Sequence, residues 1–227
     1  MTSYATYYLA VLDLYGFLPN CSYDFVQLTS YLLFEICMNV LLPPSQTVTS
    51  PMSFTLQAMQ VSDLDQVLAL QASAYPDILH EDAAFYQSRL DSSPDSVWVA
   101  CKDTTVVGYL VSYPWDGKAL PVLNSAPPAP APAPTEQMQD QFWFLHDCAV
   151  SLDARGLGVG QGLLQHGLAH ARQVGFQMAS LVSLPGAINY WQAQGYRRDA
   201  AANDGWRADL LPYGEGAAYM ARSLVTT

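Results

Sequence analysis

The sequence predicts a mixed α/β domain, and three observations carry that expectation. Apolar runs of strand length alternate with segments of helical periodicity from Phe54 onward. One of those runs, Phe142 to Val150, is strongly apolar and reads as a strand. A glycine-rich turn follows it, and a helix follows the turn.

The elements can be taken in order. Phe54 to Met59 alternates apolar and polar residues, as a strand does. Ser62 is a suitable N-cap for a helix that carries Asp63 and Asp65 in its first turn, then Val67, Leu68 and Leu70. Asp82 to Leu90 reads as a second short helix. Val97 to Lys102 and Thr105 to Tyr113 form a predicted hairpin around Lys102-Asp103-Thr104. Gly160 to Val174 places Leu163, Leu164, Gly167, Leu168 and Ala171 on one helical face. Met178 to Ser183 is a further strand, Ala187 to Gln194 a short helix closed by Gly195, and Tyr219 to Val225 the final strand. Ala126 to Pro134 reads APPAPAPAP, a stiff polyproline-type surface loop.

Composition narrows the function. The net charge of -11 argues against a nucleic-acid partner, which needs clustered Lys and Arg, and is compatible with a cationic amine as substrate. Four separated cysteines, Cys21, Cys37, Cys101 and Cys148, make no metal-type spacing and fit reduced thiols in a cytoplasmic protein. His166 and His170 stand four apart on the predicted helix, but with no third ligand nearby they read as solvent-side residues, and no metal is expected. Residues 25–42 approach the length of a membrane span, yet contain Gln27, Glu35 and Asn39 and lack a basic flank, so no membrane partner is expected.

Residues 1–51 differ from the rest, with six tyrosines, only three charges (Asp13, Asp24, Glu35) and a linker-like end at 42–51. They read either as a docking or homodimer element, or as sequence upstream of a natural start at Met52, which is slightly favoured. Residues 52–227 are then the working domain, and no secretory leader is expected.

The chemistry is concentrated at Val150 to Gln161. Glycines in a strand-to-helix turn let the backbone approach a diphosphate, and the first helix amides point outward at the positive end of the helix dipole. No Lys-Ser/Thr pair follows, so the turn is not a Walker loop, and neither Gly156 nor Gly158 starts a GxGxxG dinucleotide fingerprint. What the turn does contain is Arg-x-x-Gly-x-Gly, from Arg155 to Gly160. This is similar to the Gln/Arg-x-x-Gly-x-Gly/Ala signature of the GNAT N-acetyltransferases. Ala149-Val150 before it, Leu181 to Ser183 after it, the stretch AINYWQAQGY at 187–196 and the ending at 213–222 resemble the same family, over about residues 53 to 225.

The resemblance implies a central, mostly antiparallel mixed sheet flanked by helices, with two strands splayed around a coenzyme A site. It implies acetyl-CoA as donor, a small-molecule or peptide amine as acceptor, and direct transfer between them. The implied cofactor contacts are Cys148, Ala149, Val150, Arg155, Gly156, Leu157, Gly158, Val159, Gly160 and Gln161, with a backbone amide near Cys148 to Val150 bonded to the thioester oxygen. His146 and Asp147 lie where the acetyl group should arrive. Strand alternation turns only one of them to the site, and Asp147 is favoured as base or amine-orienting carboxylate; the pair reads equally well as structural, with Asp147 fixing His146 or a turn. His80, Glu81 and Asp82 form a second polar cluster, read as a solvated helix cap. The family often has a Tyr four residues before the closing Gly; here that position is Trp191, and Leu184 replaces the usual Asn. Either Tyr190 or another phenol serves as the acid in its place, or water protonates the thiolate, or the thiolate leaves unaided. A non-catalytic acyl-CoA-binding protein remains the alternative reading.

Overall fold

The computed structural model describes residues 54–123, 125 and 141–225. The aromatic extension, its linker, Cys21, Cys37 and the Pro-rich loop at 126–134 lie outside them.

Seven strands form one sheet in the order β1-β2-β3-β4-β5-β7-β6. These are β1 (Thr55–Ala58), β2 (Val97–Lys102), β3 (Thr105–Trp115), β4 (Phe142–Val150), β5 (Met178–Ser183), β6 (Arg197–Arg198) and β7 (Ala218–Ser223). All neighbours pair antiparallel except β4 and β5, which are parallel. Among the described residues the α-helices are α1 (Leu64–Ala74), α2 (Ala83–Ser92), α3 (Val159–Val174), α4 (Ile188–Ala193), α5 (Ala200–Gly205) and α6 (Arg207–Leu210).

Strand alternation sorts the core to the two faces of the sheet. In β2, Val97, Val99 and Cys101 pack with Val67, Leu70, Phe85 and Tyr86 of α1 and α2. Trp98 and Ala100, one residue out of step, pack with Leu163, Leu164, Leu168 and Ala171 of α3. A Cβ at Gly167 would stand 2.7 Å from the Trp143 ring, so glycine is what lets α3 lie this close to β4. His166 and His170 stand edge-on to Trp98, with ring centroids 5.3 Å away in each case.

Two local expectations change. Ser62 does not cap α1: a 3-10 turn at Val61–Asp63 precedes the helix, and Asp63 Oδ2 accepts the Gln60 amide at 2.8 Å. The carboxylate reaches back one turn more readily than the shorter Ser hydroxyl. The short helix before Gly195 starts as a 3-10 turn at Pro185–Ala187 and becomes α-helical only at Ile188. Asp82 does cap α2, its side chain accepting Phe85 N–H at 2.7 Å. The two-residue β6 and the short α5 and α6 have no counterpart in the sequence reading.

Candidate active site

The site lies where β4 and β5 part. Their pairing runs from Phe142↔Met178 to Leu145↔Leu181 and stops there, although β4 continues to Val150 and β5 to Ser183. Among the described residues, the far half of β4 pairs only with β3. Ser151 N–H donates to Val107 O at 2.9 Å and Ala149 sits opposite Tyr109. Antiparallel alternation then turns the backbone groups of Cys148 and Val150 toward the opened side. The Cys148 carbonyl is already taken there by the Tyr75 hydroxyl, at 2.9 Å. Side chains follow the same alternation: Cys148 and Val150 pack on the α3 side, and Ala149 lies in the opposite core. Burial pushes the Cys148 thiol up to about 12, so it is an inert packed thiol.

The turn after β4 suits an anion. Gly156 and Gly158 adopt φ of +75° and +80°, and a Cβ at either would meet nothing within 4 Å, so the backbone there faces open space. Gly162 N–H makes the first backward bond of α3, to Gly158 O at 2.8 Å, which leaves the Val159, Gly160 and Gln161 amides ahead of the helical ladder. No acidic residue occupies that first turn. Arg155 is exposed on the same turn, as is Leu157. These are the properties a diphosphate needs: donors, a positive dipole end and no side chain in the way.

Tyr190 faces this turn from α4. Its hydroxyl would lie 3.9 Å from a Cβ on Gly160, with no hydrogen-bond partner among the described residues, and burial pushes it up to about 12. Trp191 instead packs against the core and contacts Tyr196 at 5.6 Å. The 100° step between adjacent helical residues therefore directs the indole inward and the phenol toward the cleft.

Across the cleft, β4 carries a bulge. Val111 pairs with Asp147 and Ser112 with Leu145, so His146 is the extra residue. This corrects the expectation that His146 and Asp147 face opposite sides. Both reach α2: the His146 ring lies 4.7 Å from Phe85, and Asp147 contacts Tyr86.

The two residues nevertheless have different surroundings. His146 is held at both nitrogens, with Nε2 2.7 Å from Glu81 Oε1 and Nδ1 2.9 Å from the Tyr113 hydroxyl. A neutral ring with its proton on Nε2 satisfies both contacts. Glu81 is 3% exposed, so it is not a solvated cap residue. Arg89, 1% exposed, lays its guanidinium over the Tyr113 ring at 3.9 Å and the Phe85 ring at 4.6 Å. Its Nη2 donates to Ser125 O, while Nε and Nη1 have no partner among the described residues; burial lowers its pKa.

Asp147 is half-buried, and its Oδ2 accepts from Tyr109 at 2.6 Å and lies 3.1 Å from the Tyr86 hydroxyl. Burial raises its pKa, opposed first by Tyr109 and then by His146, Tyr75 and Tyr86. The desolvation effect wins, so the carboxylate is more basic than an exposed aspartate.

The structure thus sets Tyr190 against the Arg155–Gln161 turn, and sets Asp147 and His146 on the α1/α2 side of β4, next to the Cys148–Val150 strand end. Sequence reasoning missed Gln71, Tyr75, Tyr86, Tyr109, Tyr113 and Arg89, and underrated Glu81. Among the described residues, no three His, Cys, Asp or Glu side chains could jointly hold a metal ion, and no helix is long and apolar enough to cross a membrane.

Known proteins share this fold. The family model described as the acetyltransferase (GNAT) family matches residues 64–196. No curated protein matches the chain. Among solved structures, Ard1 from Thermoplasma volcanium aligns at TM-score 0.55 with 14% identity, over 76% of this chain and 99% of that one. Naa50 from Arabidopsis thaliana, solved with the bisubstrate analogue CoA-Ac-MVNAL, aligns at 0.54 with 14% identity, over 75% and 99%. The GphF GNAT-like decarboxylase, solved with isobutyryl-CoA, aligns at 0.56 with 19% identity, over 75% and 100%. At these identities the likeness is one of fold. The chain belongs to the GNAT acetyltransferase family. It is an acyltransferase, and its donor is an acyl-coenzyme A.

Proposed function

We propose that the protein is an N-acetyltransferase that moves an acetyl group from acetyl-CoA directly to a primary amine of a small molecule or peptide. The observation that carries this reading is the parting of β4 and β5 beyond Leu145 and Leu181, with an anion-receptive turn at one end and a basic carboxylate at the other. Acetyl-CoA supplies an activated thioester. The amides of Val159, Gly160 and Gln161, with the Gly156–Gly158 backbone and Arg155, hold its diphosphate. The outward backbone of Cys148 and Val150 aligns the pantetheine arm, and a Val150 or Cys148 amide donates to the carbonyl oxygen as charge develops there.

An alkylamine has a pKa near about 10 and must lose a proton to attack. Asp147 takes that proton, directly or through a water, and its buried setting makes it basic enough to do so. The amine nitrogen bonds to the carbonyl carbon, the carbon–sulfur bond breaks, and the Tyr190 hydroxyl donates its proton to the departing sulfur. The proton held by Asp147 restores the tyrosine through solvent. His146, with both nitrogens engaged, braces the bulge.

The test is transfer of isotopically labelled acetyl from acetyl-CoA to a panel of small and peptide amines. Stoichiometric acetylamine and free CoA are expected. Saturable CoA binding with no labelled product on any amine would overturn the reading.

A further inference from the structure

The Glu81–His146 and Asp147 networks meet at one amide. Gln71 lies on α1 and is 2% exposed. Its Nε2 donates to Glu81 O at 2.9 Å and its Oε1 accepts Glu81 N–H at 2.9 Å, so it clamps the Glu81 backbone in both directions. The same Oε1 stands 2.8 Å from the Tyr86 hydroxyl, which also lies 3.1 Å from Asp147 Oδ2 and 3.3 Å from the Tyr109 oxygen. A phenol carries one proton. Tyr109 has committed its own to Asp147 at 2.6 Å. The Tyr86 proton must be divided among Gln71, Asp147 and the Tyr109 oxygen, and the shortest contact is the one to Gln71.

We infer that Gln71 is a positioning residue of the acyl-transfer site, which draws the Tyr86 proton away from Asp147 and so keeps that carboxylate basic. The inference rests on the reading of Asp147 as the proton acceptor. A carboxylate loses basicity with each hydrogen bond donated to its charged form. Two fully committed phenols would therefore weaken the base that the buried site otherwise provides. The clamp on Glu81 gives the same amide a second task, since Glu81 holds His146 beside Asp147.

Among the described residues, the groups facing Asp147 are few. Tyr75 follows α1, Tyr86 comes from α2 and Tyr109 from β3, while His146 and Cys148 flank it on β4 and Glu81 stands beyond Tyr86. All three phenols and the thiol are raised by burial, so none of them titrates in the acid range.

The experiment is the pH dependence of kcat/KM for acetylation of the best amine acceptor, with melting temperatures recorded alongside. Tyr86→Phe removes a donor that Gln71 already holds in large part, and is expected to move the acid limb up by about 0.3 pH unit. Gln71→Met frees the Tyr86 proton for Asp147 and should move the limb down by about half a unit. Gln71→Glu makes a stronger competing acceptor with a like charge and should move it up. In the double variant Gln71→Met/Tyr86→Phe the limb should coincide with that of Tyr86→Phe alone, because no shared proton remains. Limb shifts of the same sign in Gln71→Met and Tyr86→Phe, or additive shifts in the double variant, would overturn the inference. Should Gln71→Met fail to fold, an unmoved or lowered limb in Gln71→Glu overturns it instead. Asp147→Asn separates the two levels: an acid limb that survives there overturns the role of Asp147 itself.

Discussion

The turn and the bulge are built by different means. The turn from Arg155 to Gln161 presents backbone, with amides left free by helix geometry and glycines at positive φ. The β4 bulge presents side chains, in two networks drawn from α1, α2, β3 and the loop before α2. A backbone site depends on a short contiguous stretch and tolerates change elsewhere. A side-chain site depends on packing across the whole face of the sheet. Stability and activity should therefore be tightly coupled at the bulge and loosely coupled at the turn.

The largest effect that would sharpen this contrast is on stability. Glu81→Ala leaves His146 Nε2 buried without an acceptor, and a loss of about 3 kcal/mol is expected in denaturant unfolding, with CoA affinity changed less than about twofold. Weakened CoA binding in a folded Glu81→Ala protein would break the separation of turn and bulge. Next comes Tyr190→Phe. Removal of a well-placed acid should lower kcat by about 100-fold while the Kd for CoA holds, as measured by calorimetry beside steady-state rates. The smallest effect belongs to the turn. Gly158→Val forces a β-branched residue to φ near +80° and should weaken CoA binding by about tenfold, with only a small fall in melting temperature.

The same contrast explains what the sequence revealed. The turn was legible because Arg155, Gly156, Gly158 and Gly160 lie within six consecutive residues whose spacing excludes other phosphate loops. The strands were legible wherever apolar alternation was strong: β4 and β5 run over the ranges their apolar residues suggest. The bulge was not legible, because alternation predicts opposite faces for His146 and Asp147 and nothing local marks the extra residue. Nor were Tyr75, Tyr86, Tyr109 and Tyr113, which read singly as ordinary core aromatics. Glu81 sat in an apparently polar cluster, and only packing shows that Asp82 caps a helix while its neighbour points inward. Arg89 carried a faint signal as the first basic residue in the chain, placed on the apolar face of a helix. Trp191 shows the limit of a motif: the indole took the packing position, and the adjacent Tyr190 took the cleft.

Asp147 joins the two kinds of coupling, because its burial is a cost to the folded state. A carboxyl with a raised folded pKa favours folding in its protonated form. Below the ordinary aspartate value of 3.8 it has no effect, and stability falls as pH rises from there through the raised pKa. Asp147→Asn should then be more stable than the wild type at neutral pH, by on the order of 1 kcal/mol, with the difference vanishing in acid. The decisive measurement pairs that melting curve with the acetyl-transfer rate of the same variant at pH 7. A higher melting temperature with transfer reduced by at least about 100-fold is the predicted result. An unchanged rate, whatever the melting temperature, would contradict the role of Asp147.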